Sequence, residues 1–101
     1  MKNGTPVYVY TITNDGEVLE RVGIVSKQTD KSLTVTMYGG QKMVLNRKSG
    51  VITKDAMWSK VPQKNVYIEL MLDILTERRA TYQERIRTTT IRINNIRQCA
   101  G

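Results

Sequence analysis

QKNVYIELMLDILTERRATYQERIRTTTIRINNIRQ, residues 63–98, is the stretch that decides the fold. At alternating steps of four and three, Ile68, Leu72, Leu75, Arg79, Tyr82, Ile86, Thr89, Ile93 and Ile96 fall in one line. That heptad spacing belongs to a helix that packs lengthwise on another helix. Seven of the nine positions are apolar or aromatic, and Arg79 and Thr89 are the exceptions. A helix of this length runs about 50 Å, farther than a small β domain made from residues 1–62 is wide. Much of it must find a partner outside its own domain, so the nine seam residues are expected to form a homo-oligomer interface of coiled-coil type.

Upstream, Asn65 is the expected helix cap, and Pro62 limits extension toward the N-terminus. From Val66 to Leu75 the helix is apolar nearly all round, which predicts burial on two sides. After Thr76 only the seam stays apolar. Thr88 to Ile93 is β-branched and alternates like a strand. The heptad phase passes through it without a slip, which keeps the helical assignment; a break near Arg87 with a terminal strand is the alternative.

Residues 1–62 read as short strands separated by turn signals. Val7 to Ile12 is β-branched and aromatic, and Asn14-Asp15-Gly16 marks a tight turn. Val18 to Ser26 returns with Val18, Val22 and Ile24 on one face, and Gly23 points to a bulge or a close backbone contact. After a turn at residues 28–31, Leu33, Val35 and Met37 alternate with Thr34, Thr36 and Tyr38 as a half-buried strand. Gly39-Gly40 turns the chain into Lys42–Arg47, and a short Val51-Ile52-Thr53 follows. The fold class is therefore α+β. A five-stranded antiparallel meander, closing as a small SH3-like barrel or remaining a curled sheet, precedes the long helix. The domain boundary falls at 62/63. Asp55 to Pro62 reads as a connector, with Met57 and Trp58 covering an open end; Trp58 as a base-stacking residue is the competing reading.

The chain of 101 residues carries a net charge of +7, with 16 cations against 9 anions. That balance favours anionic partners. Cys99 is the only cysteine, so no internal disulfide forms and a reducing, cytoplasmic setting is expected. No apolar run reaches membrane-spanning length and no apolar signal core opens the chain, so no membrane partner is expected. There is no histidine, which removes Ser-His and Cys-His nucleophiles and the usual metal sets. Gly39-Gly40 lacks the spacing of a phosphate-cradling loop. Glu69 and Asp73, one helical turn apart, read as solvating or ion-pairing groups. Enzymatic activity, a metal site and a cofactor are all unexpected.

The cations divide by type. Every lysine lies at or before Lys64, and beyond it every cation is arginine: Arg78, Arg79, Arg85, Arg87, Arg92 and Arg97. Arginine offers phosphate a planar two-pronged fork, where lysine is a mobile point charge. Arg78, Arg85 and Arg92 recur every seven residues and line one stripe, which on a coiled-coil flank would pair with Glu77 and Glu84 of neighbouring chains. No acidic residue follows Glu84, so Arg87, Arg92 and Arg97 are the candidate phosphate clamp. Asn94 and Asn95 add hydrogen-bonding groups, and Tyr82 adds a stacking face.

From these features a homo-oligomer is expected that holds a phosphate-bearing small ligand, such as a nucleotide, where subunits meet. In element order, size and basic character, though in no specific motif, the chain resembles phage anti-defence "sponge" proteins of the Thoeris anti-defence group. That resemblance implies sequestration of a cyclic nucleotide signal by an assembly of small sheets and helices. Two other readings stand beside it. One is a nucleic-acid module with Tyr8, Tyr10 and Tyr38 as stacking platforms. The other is a protein–protein inhibitor whose charge complements an acidic target.

Overall fold

The computed structural model describes residues 1–100, with side chains as far as Gln98; the Cys99 side chain lies outside the described residues. In chain order the elements are β1 (Pro6–Ile12), β2 (Val18–Gln28), β3 (Ser32–Met37), β4 (Lys42–Asn46), β5 (Met57–Ser59) and α1 (Lys64–Ala100). The five strands form one antiparallel sheet in the order β4-β3-β2-β1-β5. It curls into a half-barrel, so of the two expected closures the open sheet is the one found. The chain divides into two compact units, Met1–Leu70 and Met71–Gly101, so the first turns of α1 belong with the sheet.

Alternation along the strands sets the inner face. Val7 and Val9 of β1, Val25 of β2, Leu33, Val35 and Met37 of β3 and Leu45 of β4 are buried together, with Ala56 and Trp58. Gly23 lies on this face because nothing larger fits: a Cβ there would stand 2.2 Å from Val35 Cγ1 and 2.9 Å from Met37 Sδ. The close approach expected at Gly23 is therefore present, while the register shift comes later, between Val25 and Lys27. Val18, Val22 and Ile24 do share a face, and it is the outer one, where Val22 and Ile24 are exposed. Between β3 and β4, Gly39 and Gly40 both take positive φ, 93° and 88°, which lets a tight turn join strands of right-handed twist.

The fifth strand is not Val51-Ile52-Thr53. Thr53 makes only an isolated bridge to Ala56, across a turn in which Lys54 and Asp55 both adopt positive φ. The strand is Met57-Trp58-Ser59, in the segment expected to be a connector, and it pairs with β1 through Tyr8, Val9 and Tyr10. Pairing there covers the β1 edge that the β1–β4 meander leaves open. Trp58 is core, and its indole Nε1 donates to the Asn46 carbonyl at 2.7 Å, tying β5 to the exit of β4.

A second buried group sits on the opposite face of β1. Tyr10 and Met57 are fully buried yet lie outside the inner cluster, and Tyr67 of α1 is buried as well. The Tyr10 and Tyr67 rings stack with centroids 5.7 Å apart. The Tyr10 hydroxyl donates to Glu20 at 2.9 Å and accepts the Gln63 backbone N–H at 2.7 Å. Gln63, not Asn65, is thus the residue at the helix entrance, and its carbonyl accepts the Tyr67 N–H at 3.0 Å. The Tyr67 hydroxyl donates to the Asp55 carbonyl. Burial on two sides does not extend along the first turns: Tyr67 and Met71 are buried, while Val66, Leu72 and Leu75 are exposed.

Two measurements check this packing. Gly23→Ala should cost about 1–3 kcal/mol through overpacking, read as a lower denaturant midpoint with an unchanged slope; an unchanged midpoint would mean the sheet relaxes freely there. The second is alkaline. Burial first, and the Asp55 charge second, push the Tyr67 phenol up from 10.0 to about 12. The folded state therefore favours the neutral ring, so this contribution is complete below pH 10 and is lost as pH rises toward about 12. Tyr67→Phe should lose about 1 kcal/mol at neutral pH with its hydrogen bond, and the gap to wild type should narrow through that alkaline window.

Candidate functional site

The candidate residues lie on α1, and the second unit is built from its continuation. Residues 88–93 are helical, so the terminal-strand alternative is excluded. Threonines along the helix, Thr88 of this stretch among them, bond back to their own backbone. Thr76 donates to the Leu72 carbonyl at 2.7 Å, Thr81 to Glu77 at 3.0 Å and Thr88 to Glu84 at 3.0 Å. Each hydroxyl folds back one turn onto its own helix, so the side chain satisfies itself locally.

The heptad line is present and uncovered. Leu72 is 59% exposed, Tyr82 65% and Ile96 68%, with Leu75, Ile86 and Ile93 also exposed. Arg79 and Thr89 interrupt that line and are exposed too, and only Ile68, at its start, is half-buried.

Arg78, Arg85 and Arg92 share one stripe, because seven residues turn a helix through almost two whole turns. Two shallow hollows follow that stripe. The first is lined by Ile74, Glu77, Arg78, Thr81, Tyr82 and Arg85. The second is lined by Glu84, Arg85, Thr88, Thr89 and Arg92. Their origin is local: threonines, with short side chains, alternate with arginines and leave gaps between them. Since every wall comes from one helix, neither hollow encloses a ligand by itself. Tyr82 joins the seam to the first hollow.

The expected clamp of Arg87, Arg92 and Arg97 is arranged differently. Steps of five residues place successive side chains about 140° apart around a helix, so the three point to three sides. Asn94 falls near the side of Arg87, one heptad on, and Asn95 falls elsewhere. One chain therefore gathers Tyr82, Arg78, Arg85 and Arg92 along one face. It does not add Arg87, Arg97, Asn94 or Asn95 to them.

The sheet holds fewer exposed aromatic rings than its sequence offers. Tyr10 and Trp58 are buried, Tyr8 is half-buried, and Tyr38 stands fully in solvent beside the β3–β4 turn. A half-buried cation that the sequence reading passed over is Arg21 of β2. Its Nη2 donates to Thr11 Oγ1 at 3.4 Å, while its Nε is shielded without a partner among the described residues. The signal lay in the strand parity, since Arg21 shares the inner phase of Gly23 and Val25. Among the described residues no helix is long and apolar enough to cross a membrane. Compared with protein-family models, curated proteins and solved structures, the chain matches none.

Proposed function

We propose that the protein is a non-enzymatic homo-oligomer that captures a phosphate-bearing small ligand, of the cyclic or modified nucleotide class, where helices of different copies meet. The observation that carries this reading is the uncovered apolar seam of α1 with an arginine stripe running beside it. Six aliphatic or aromatic side chains, Leu72, Leu75, Tyr82, Ile86, Ile93 and Ile96, stay exposed in line. Covering such half-exposed side chains is worth roughly 1 kcal/mol each, so a pair of helices gains about 12 kcal/mol from both copies. Association costs about 4–15 kcal/mol. The balance is close, and a ligand bound only by the assembled form tips it by mass action. Sequestration of a nucleotide signal, the role implied by the anti-defence resemblance, fits a binder of this kind. The nucleic-acid reading keeps Tyr38 as its freely exposed ring and loses Tyr10 and Trp58 to the interior.

Assembly is tested first. Light scattering should show an oligomer, and Ile86→Asp with Ile93→Asp should convert it to a monomer, since each buried unpaired charge costs several kcal/mol. Both side chains are exposed in the single chain, so the sheet's melting transition should survive. A double variant that assembles normally would remove the seam from the interface.

Calorimetric titration against cyclic and linear nucleotides, with duplex and single-stranded oligonucleotides alongside, tests the ligand. Saturable, weakly salt-dependent binding of one nucleotide is expected, with Arg92→Lys weakening it by about 1–3 kcal/mol because the fork is lost. Affinity that instead falls steeply with salt, with a slope of about 0.9 per phosphate contact on duplex DNA, and shows no preference among oligonucleotides would favour nucleic acid. No binding to either class would leave a protein–protein role.

A further inference from the structure

We propose that two copies of α1 pair antiparallel, centred on Glu84, and that this pairing builds the phosphate site as a ladder of Arg78, Arg85 and Arg92 from both copies. The inference rests on the self-assembly proposed above and adds its direction, its register and the place of its ligand. It starts from the two seam positions that are not apolar. In a parallel, in-register pair every seam residue meets its own copy, so Arg79 would be buried against the partner's Arg79. Sliding a parallel pair by one heptad sets Arg79 against the partner's Leu72 or Ile86, a charge against an aliphatic side chain.

In the antiparallel arrangement centred on Glu84, Leu72 meets the partner's Ile96, Leu75 meets the partner's Ile93 and Tyr82 meets the partner's Ile86. Arg79 then meets the partner's Thr89, whose hydroxyl accepts from the guanidinium. The two interruptions of the seam thus fall in one layer, and every position from Leu72 to Ile96 has an opposite number. Shifting the antiparallel pair by a heptad either way leaves apolar seam residues at one end without one.

The same register decides what flanks the seam. In antiparallel helix pairs, positions on one flank face the same positions of the partner. Arg85 faces the partner's Arg85 near the two-fold axis, and Arg92 faces the partner's Arg78. The hollows beside Thr81 and Thr88 line up along this flank. Glu77 and Glu84 border the same hollows, and three arginines against two glutamates leave each copy one cation in surplus. Arg78 is already engaged within its own chain, so Arg85 and Arg92 are the principal donors. Guanidinium groups facing one another repel until an anion lies between them, and phosphate oxygens accept two parallel hydrogen bonds from each fork. Ligand and pairing are therefore coupled: the anion completes an interface that neither copy forms alone.

The test uses the full chain in a Cys99→Ser background, which removes the native thiol. Leu75→Cys and Ile93→Cys chains are prepared separately, and both positions are exposed in the single chain. On mild oxidation the mixture should yield a disulfide-linked heterodimer, while neither variant links to itself. Self-linking of Leu75→Cys would overturn the antiparallel direction and leave self-assembly standing. A wild-type chain that sediments as a monomer with and without inorganic tripolyphosphate would overturn the proposed function itself. For the ladder, tripolyphosphate should tighten wild-type dimerisation about tenfold through linkage. Arg85→Gln should dimerise at least as tightly without the anion and lose that response. A full response in Arg85→Gln, or an equal response to sulfate at matched ionic strength, would overturn the ladder as the phosphate site.

Discussion

The contact between Tyr10 and Tyr67 ties the first turns of α1 to the sheet. One hydroxyl joins three segments: it donates to Glu20 of β2, accepts the N–H that opens α1, and belongs to a ring stacked on the first inward side chain of the helix. Aromatic pairs of this geometry add about 0.5–1.5 kcal/mol beyond burial. On the following turns Ile68 is half-buried and Met71 buried, and from Leu75 to Gln98 every side of the helix is exposed.

Around this contact β1 works on both faces. Val7 and Val9 enter the curled interior, while Tyr8 and Tyr10 face the other way. β5 then pairs along the edge of β1 that the meander leaves free, and the Trp58–Asn46 hydrogen bond draws β5 toward the end of β4. The strained turn at Lys54-Asp55 belongs to the same construction. Positive φ at two residues with β-carbons costs energy, and the Asp55 carbonyl it presents is taken by the Tyr67 hydroxyl.

Charge follows the two units. The first unit holds every lysine together with Arg21 and Arg47, and the cations of the second are all arginine. Periods of seven keep Arg78, Arg85 and Arg92 on one face, whereas Arg87, Arg92 and Arg97 share only the absence of nearby carboxylates in the sequence. Charge balance in the sequence says which arginines lack a local counter-ion; helical geometry says which of them stand together. The hollows along this stripe, lined in part by Thr81 and Thr88, are a feature that no count of charges contains.

The sequence by itself determined the class of the fold, the alternation of β3, the close approach at Gly23 and the unbroken helix through Thr88 to Ile93. These are local properties: a period of two or of seven, a missing side chain, a turn dipeptide. Tertiary structure decided the rest. Val51-Ile52-Thr53 has the composition of a strand and Met57-Trp58-Ser59 does not stand out, yet only the latter meets an unpaired edge. Alternation puts Val22 and Ile24 on one face without saying which, and because Gly23 faces Val35 the pleat turns both outward. Asn65 has a capping side chain, but a hydroxyl distant in sequence, on Tyr10, takes the N–H of Gln63 instead. In each case the outcome depends on an atom supplied by another element, and no property of the segment taken alone contains that atom.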